Sequence, residues 1–341
     1  MRLESRAARL GLGLASLLVG FPACRHAAAP APALAAPADS GVAAHDFLYC
    51  GEWQTDRPGE HMYLVRGGKV VWTYEIGDKE ELGDCTMASN GHIFFVRKGR
   101  GASEIIPDLA AGQGGQIVWD YEGGGPGTEV HSVQPVGTDQ VWVMQNGTPP
   151  KLMLFDKGKP GPVRSVSFEA GPKVHGQFRH VRVTSAGTFV VAHLNLGKVV
   201  EYAADGRTVL FSTPAPSAWA AVKLKSGNYL ISGNQHKYVR EVNPQGQVVW
   251  ELTQKDVDFP LFTIQETMRR ANGNTVVNSW VSTHDLPKDQ WGKTIQVFEV
   301  TPEKKVVWKL SAWSEPNLGP GSSTQLLDEP GVPEKPGDQM R

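Results

Sequence analysis

One segment recurs in variant form along most of the chain, and it limits the possible folds more than any other feature. It runs from Gly227 to Leu252 and reads GNYLISGNQHKYVREVNPQGQVVWEL. Three short runs of alternating or β-branched apolar residues are separated there by Gly-Asn and by Asn-Pro-Gln-Gly, which is typical of strands joined by tight turns. Units of about four strands that repeat every 40 to 50 residues or so predict a β-propeller.

The outermost strand of each unit sets the number of blades. It usually begins at a turn glycine and ends in a large apolar residue, as in GKVVW and GQVVW. Six such anchors lie about 40 to 58 residues apart: Trp72, Trp119, Phe168, Leu210, Trp250 and Trp308. We therefore predict an all-β fold of six blades, in which the large side chains fill the space between neighbouring sheets.

The innermost strands predict how the ring closes. Five of them lie inside the chain and begin at Asp84, His131, His180, Ala220 and Glu266. The segment TQLLDEPG from Thr324 matches the missing sixth, and FLYCG from Phe47 matches YLISG. We therefore predict that a strand from the C-terminus joins three strands from the N-terminus in the last blade. Such closure removes free sheet edges, which otherwise invite aggregation.

The N-terminus reads as an export signal. Residues 1–23 combine a basic start with a short apolar run, and a small residue precedes Cys24, which is the pattern of a signal peptide. The pattern resembles a bacterial lipoprotein signal, in which Cys24 becomes the lipidated first residue. Secretion without a lipid is the alternative. We therefore predict an exported protein, in the periplasm or outer membrane, that touches the membrane only through Cys24.

The remaining segments differ in composition. Residues 24–44 are rich in Ala and Pro and predict a disordered tether, residues 45–331 hold the propeller, and residues 332–341 predict a loose tail. Cys50 and Cys85 fall on predicted strands of neighbouring repeats. An exported protein can oxidise them to a disulfide, but the sequence favours two small buried thiols. The formal charge of −1 gives no electrostatic reason to expect nucleic acid as a partner.

Strand geometry places the candidate site at one end of the channel. In an antiparallel blade, the start of the innermost strand and the end of the second strand meet at the same face. The side chains of Asp84, His131, His180 and Glu266 should therefore ring the channel. The ends of the second strands should surround the same mouth: Arg97, Gln145, His193, His236 and Trp280. The long connection that holds His284 should overhang this mouth as a binding loop.

The repeats GNYLI, GNTVV, GQVVWEL and KKVVWKL resemble the PQQ-like repeat and, more specifically, the blades of six-bladed arylsulfotransferase-type propellers. The resemblance covers roughly residues 45–331. It implies a channel histidine that takes a sulfuryl group from one phenol ester and passes it to another phenol, and His131 or His180 matches by position. A neutral imidazole suits this role because it is nucleophilic near neutral pH.

Neither a cofactor nor a metal is predicted. Quinoprotein dehydrogenases with related repeats use eight blades and a vicinal cysteine pair, and this chain has neither, so the resemblance implies no quinone. His131, His180, Asp84 and Glu266 offer nitrogen and oxygen ligands, but they are spread around a channel and lack a close His-x-His spacing. We therefore predict no metal site.

Three functions remain open for this face. The favoured one is binding of a small-molecule ligand or an envelope protein. Sulfuryl transfer through His131 or His180 is the alternative, although Asp84 and Glu266 would repel an anionic sulfate ester. In the third, the polar side chains only bind one another and channel water. The predicted ligand-binding residues are Asp84, Arg97, Gln145, His193, His236, Glu266, Trp280 and His284.

Overall fold

The computed structural model describes residues 41–51, 59–77 and 80–339. These residues form six four-stranded antiparallel sheets, and the innermost strands of successive sheets lie side by side in a closed ring around a channel. The predicted six-bladed β-propeller is therefore confirmed. The predictions for residues 1–40, including the signal peptide, the lipidation of Cys24 and most of the tether, lie outside the described residues.

We number the blades in chain order and give the strands of each from the channel outward. Blade 1 contains β24 (Gly321–Leu326), β1 (Phe47–Gly51), β2 (Glu60–Arg66) and β3 (Lys69–Ile76). Blade 2 contains β4 (Cys85–Met87), β5 (Ile93–Arg97), β6 (Gly101–Pro107) and β7 (Gly115–Tyr121). Blade 3 contains β8 (Glu129–Val136), β9 (Gln140–Asn146), β10 (Lys151–Asp156) and β11 (Pro162–Val166).

The second half of the ring follows the same pattern. Blade 4 contains β12 (Phe178–Val183), β13 (Phe189–His193), β14 (Lys198–Tyr202) and β15 (Val209–Pro214). Blade 5 contains β16 (Ala220–Lys223), β17 (Tyr229–Ser232), β18 (Val239–Val242) and β19 (Val248–Leu252). Blade 6 contains β20 (Thr263–Arg269), β21 (Thr275–Trp280), β22 (Val297–Val300) and β23 (Val306–Leu310).

In the described part of the chain, helical structure is limited to short 3₁₀ segments. These are Gly41–Ala43, Val174–Gly176, Asn234–His236, Gln254–Asp256 and Lys288–Lys293. No helix among these residues has the length and apolar character needed to cross a membrane.

Blade 1 closes the ring in the predicted way. Its inner strand β24 comes from the C-terminus and pairs antiparallel with β1, placing Phe47 opposite Leu326 and Tyr49 opposite Thr324. On its other side β1 pairs with β2. The closing blade therefore joins both ends of the propeller through backbone hydrogen bonds, which leaves the inner edge of β1 covered.

The core consists of apolar clusters between adjacent blades. Between blades 6 and 1, for example, Phe47 and Tyr49 pack with Val276 and Trp308, all nearly or fully buried. Side chains alternate between the two faces of each strand, so every blade contributes to the cluster on either side of it. Full burial of each such side chain stabilises the fold by roughly 1.5–3 kcal/mol.

Three of the predicted anchor tryptophans also form hydrogen bonds between blades. The indole of Trp72 in blade 1 donates to Gly114 of blade 2, and that of Trp250 in blade 5 donates to Pro302 of blade 6. The indole of Trp308 in blade 6 donates to Gly41, just ahead of blade 1. Val42 and Ala44, which follow Gly41, also pack on the cluster between blades 6 and 1.

The cysteines differ from the favoured prediction. Cys50 on β1 and Cys85 on β4 form a disulfide, with their Cα atoms 6.4 Å apart. The expectation of two free thiols is wrong, because the second strand of blade 1 packs against the first strand of blade 2. That packing brings two residues 35 positions apart in sequence within the Cα separation that a disulfide spans.

The C-terminal tail also differs from its prediction. Residues 332–339 do not form a loose end but cross the face of the ring opposite the predicted site. The carbonyl of Glu334 accepts a hydrogen bond from the amide of Gly137, and its carboxylate accepts from the amide and hydroxyl of Ser89. Gln339 lies beside Gln325 of β24. The amino-acid composition of the tail does not indicate this structure, because the tail is held by contacts with blades that are far away in sequence.

Candidate functional site

Irregular pairing at the start of the inner strands determines which side chains reach the channel. The register of β12 shifts between Phe178 and Val181, and that of β20 shifts between Ile264 and Thr267. Similar shifts occur in β8 near His131 and in β24 next to Ser323. Such bulges re-aim side chains. They create two polar layers, one inside the channel and one nearer its mouth.

The inner layer is built around Arg182. Its guanidinium donates two hydrogen bonds to Asp84, at 3.0 and 3.2 Å, and one to Glu266 at 3.1 Å. A further bond reaches Ser132. His180 accepts from Arg182 through Nδ1 at 3.0 Å and donates through Nε2 to the carbonyl of Gly83. All of these side chains are buried, so this layer fills the channel.

Equivalent register positions explain which residues form the inner layer. Val181, Thr267 and Thr324 each pair with the third residue of the second strand in their own blade. The residues just before them, His180, Glu266 and Ser323, are therefore equivalent, and Ser323 donates to Glu266. Thr324, the predicted equivalent, stands one position further along. In blade 3, the extra residue of the bulge in β8 puts Ser132 at the equivalent position, so His131 belongs to the outer layer.

The outer layer centres on Arg179. Its guanidinium lies 2.7 Å from Nε2 of His175 and 2.9 Å from Nε2 of His131. His175 donates through Nδ1 to Glu129 at 2.9 Å, so this imidazole bridges the arginine and the carboxylate. Nε2 of His131 is also 2.8 Å from Glu129. A neutral imidazole serves one of these partners at a time, donating to Glu129 or accepting from Arg179.

Burial and the charge of Arg179 determine which side chains of the outer layer are ionised. Burial lowers the pKa of His131 to about 4, and the adjacent Arg179 acts in the same direction, so this imidazole is neutral at pH 7. Burial alone would raise the pKa of Glu81, but Arg179, His131 and Lys98 outweigh it and lower that pKa to about 2. Burial likewise opposes the ionisation of Glu129, yet its hydrogen bonds to His131 and His175 lower its pKa.

Both layers contain groups of side chains with the spacing of metal ligands. One group is Glu129, His131 and His175, and the other is Asp84, His180 and Glu266. In each group an arginine already occupies the centre, since Arg179 donates to His175 and Arg182 donates to Asp84, Glu266 and His180. A guanidinium excludes a metal cation from the same position by charge and by volume, so we assign no metal here.

Above the outer layer lies a cavity of about 680 Å³. Trp219, Asn234 and Gln265 line it, and each is more than nine-tenths buried. Within the described part of the chain, Trp219 Nε1, Asn234 Nδ2 and Gln265 Oε1 have no hydrogen-bond partner. The remaining lining residues are Glu81, Lys173, His175, Gly176, Arg179, Leu194, Asn195, Gln235, Lys237, Thr263, Trp280, Ser282, His284 and Asp285.

The structure brings several predicted residues to this end of the channel. Trp280 and His284 line the cavity, and His284 lies within the turn in which Asp285 accepts hydrogen bonds from Ser282. His131 lies in the outer layer beside Arg179. Asp84, His180 and Glu266 lie deeper, in the inner layer, where each is about 1% exposed or less.

Four other predicted residues do not reach the cavity. Arg97 pairs with Asp120 within blade 2, and Gln145 accepts a hydrogen bond from Tyr121. His193 is fully buried beside Tyr202. His236 lines an outer groove near Trp250. Their predicted positions are therefore corrected. Arg97, Gln145 and His193 lie on second strands, which are about 4.8 Å further from the axis than inner strands, and His236 lies on the 3₁₀ segment that follows β17.

Sequence reasoning missed the residues that organise both layers. Arg97 was expected to be the arginine of this face, yet Arg179 and Arg182 hold that place. The signal for Arg182 is the spacing His180-Val181-Arg182, because alternate residues of a strand share a side. The signal for Glu129 is the same spacing before His131. Arg179, Trp219 and Gln265 had no such signal, because bulges or strand ends decide where they point.

Comparisons with known proteins support the fold. No protein-family profile matches this sequence, and no curated protein matches it. A protein of unknown function from Bacteroides caccae is similar in structure, with a TM-score of 0.69 and 21% identity over 82% of this chain and 97% of that chain. A catalytically inactive virginiamycin B lyase from Staphylococcus aureus, solved with quinupristin, gives a TM-score of 0.51 and 11% identity over 77% and 84%.

These similarities define the class of protein. At such low identity they show the fold alone, and the fold they show is a β-propeller. They do not confirm the resemblance to PQQ-like or arylsulfotransferase propellers. Unrelated activities share propeller frames, so function has to be argued from the site.

Proposed function

We propose that this protein binds a small polar molecule in the cavity at the mouth of its channel. The observation that carries this proposal is the convergence of Trp219, Asn234 and Gln265 on one cavity. Each is buried and each presents a polar atom for which the described residues supply no hydrogen-bond partner. The β-propeller fold fits such a role, since loops and strand ends at a channel mouth commonly form binding sites.

The energetics favour a ligand over a purely structural role. More than nine-tenths of buried polar groups in proteins have a hydrogen-bond partner, and leaving one unsatisfied costs about 1–3 kcal/mol. Three such groups around one cavity are therefore unfavourable unless bound water or a ligand satisfies them. The inner layer contrasts with this, because Asp84, Arg182 and Glu266 satisfy one another. A concave site of this size suits a small molecule better than the surface of an envelope protein.

The test is a thermal-shift screen of the purified protein against polar metabolites of several classes. We expect some compounds to raise the Tm of the wild type, and Trp219→Phe and Gln265→Leu to reduce that shift. Trp250→Phe is the matched control, because its indole bonds to Pro302 outside the cavity. If hits stabilise the two cavity variants as well as the wild type, the binding site lies elsewhere and the proposal fails.

Sulfuryl transfer between phenols remains the second candidate function. It is favoured by one observation: the neutral imidazole of His131 lies beside the cation of Arg179, a pairing that suits a nucleophile next to developing negative charge. Two observations oppose it. The imidazoles of His131 and His180 are each about 1% exposed, and both nitrogens of His180 already have hydrogen-bond partners. Turnover of a nitrophenyl sulfate with a phenol acceptor, lost in His131→Ala, would establish this activity.

We also propose that the protein is exported and carries a lipid on Cys24. The disulfide between Cys50 and Cys85 supports export, because disulfides persist in oxidising compartments such as the periplasm. Intact mass of the protein recovered from membranes tests the lipid directly. We expect a mature chain that begins at residue 24 with added acyl mass, and Cys24→Ala should abolish both the added mass and membrane association. A mature chain without that mass would indicate secretion.

A further inference from the structure

The wall of the cavity also constrains the chemistry of its ligand. Its acidic side chains and its arginine already have partners within the protein. Glu81 pairs with Lys98 at 3.0 Å, and Asp285 accepts from the amide and hydroxyl of Ser282. Arg179 donates to His175 and lies over the ring of Trp219, with its guanidinium carbon 5.0 Å from the ring centroid.

The two lysines of the wall offer little to a charged ligand. The ammonium group of Lys237 lies over the ring of Phe262, 5.6 Å from its centroid. Lys173 is exposed at the rim, where a single ion pair in water contributes little to affinity. Arg179 is a buried cation of the same wall, but its charge already stabilises the ionised form of Glu81. A ligand with a net charge would therefore lose its hydration without gaining a buried counterion of its own, which is costly.

The atoms of Trp219, Asn234 and Gln265 that lack a partner among the described residues are buried and neutral. They are an indole N–H, a carboxamide nitrogen and a carboxamide oxygen, respectively. Such a set needs both donors and acceptors, closely spaced, on an uncharged molecule. Hydroxyl groups meet this need because each donates one hydrogen bond and accepts two. They also tolerate either orientation of a carboxamide.

We infer that the ligand is a neutral polyhydroxylated molecule, a mono- or disaccharide, held by Trp219, Asn234 and Gln265. This inference rests on the proposed function and adds the class of ligand to it. The cavity volume of about 680 Å³ falls in the range of small-ligand sites. Trp280 is half-buried in the same wall and adds apolar surface for the C–H groups of a sugar ring.

The experiment is isothermal titration of the purified protein with a fixed panel. The panel contains neutral mono- and disaccharides, the corresponding uronic acids and sugar phosphates, and dipeptides. We expect a neutral saccharide to bind, and its uronic acid to bind more weakly. Trp219→Phe keeps an aromatic ring but removes the indole N–H, and it should raise the Kd about tenfold or more. Gln265→Leu should act likewise and carries the test if the first variant does not fold. Trp250→Phe should leave the Kd unchanged.

The other outcomes separate the two claims. Binding of charged sugars or dipeptides alone, weakened by Trp219→Phe, would overturn the saccharide inference and leave the binding cavity in place. Saccharide binding that neither cavity variant weakens would place the site elsewhere and overturn both claims. If no saccharide of the panel binds, the inference on ligand class fails, and the thermal-shift screen above decides whether the cavity binds another class.

Discussion

Arg182 and Asp84, which are 98 residues apart in sequence, are joined across the channel by two parallel hydrogen bonds of 3.0 and 3.2 Å. Arg182 belongs to blade 4, and Asp84 immediately precedes β4 of blade 2. The same guanidinium also reaches Glu266 of blade 6. One buried side chain thus ties together three alternate blades at the axis, and its removal would leave two buried carboxylates without their counterion.

The first prediction concerns this arginine. Arg182→Met should lower the free energy of unfolding by about 3–5 kcal/mol, because breaking a buried ion pair leaves uncompensated charge behind. Urea denaturation measures the change. The matched control is Lys198→Met, which removes a partly exposed pair with Glu169 and should cost less than about 1 kcal/mol. Equal effects of the two substitutions would show that the inner layer is not a structural hub.

The second prediction concerns pH. Burial lowers the pKa values of His131 and His193 from 6.5 to about 4. Below about pH 6.5, these two histidines bind protons in the unfolded chain but stay neutral in the folded protein. The free energy of unfolding therefore falls as the pH is lowered, until the pH reaches the folded-state pKa near 4. We expect the free energy of unfolding to decline from pH 6.5 to 5, a window above the one in which Glu81 contributes. His193→Phe should flatten this decline, and a profile equally steep in the variant would contradict the assignment.

The third prediction concerns the disulfide. Replacement of both Cys50 and Cys85 by Ala should lower the free energy of unfolding by about 2–4 kcal/mol, because the cross-link restricts the unfolded chain. Chemical denaturation with and without a reductant measures this. Reduction should destabilise the wild type but leave the double variant unchanged. A non-reducing peptide map should show the two cysteines linked, and a map with two free thiols would refute the pairing.

The fourth prediction concerns the C-terminal tail. Removal of residues 332–341 should expose the amides of Gly137 and Ser89, which donate to Glu334 in the intact chain. Hydrogen exchange at these two amides should therefore accelerate. The amide of Gly246, which bonds to Asn243 in an outer turn, serves as the internal control. Unchanged protection at Gly137 and Ser89 would mean that the tail does not cover this face in solution.

The repeats in the sequence were enough to predict how the ring closes. Matching FLYCG with YLISG was enough to place Phe47 in a second strand and to require a C-terminal strand beside it, and Phe47 does pair with Leu326. Repeats work in this way because equivalent positions in stacked units face equivalent neighbours. The same reasoning correctly brought Asp84, His180 and Glu266 together inside the channel.

Pattern reasoning fails where one residue is added to a strand. The bulges before Ser132 and Val181 move His131 and Arg179 out of the repeat register, and a shift of one residue turns a side chain to the other side. No spacing rule indicated that Trp219 and Gln265 would share a cavity. Trp219 precedes β16 of blade 5 and Gln265 lies on β20 of blade 6, and they meet because the inner strands of neighbouring blades lie side by side.

The amino-acid sequence by itself determined the class of fold, the number of blades and the closure, because apolar alternation and turn residues act locally and repeat. Only the tertiary structure decided the pairing of Cys50 with Cys85, the position of the tail, and the set of side chains around the cavity. These depend on contacts between residues far apart in the chain, where bulges and the curvature of the ring, not local propensity, determine which atoms meet.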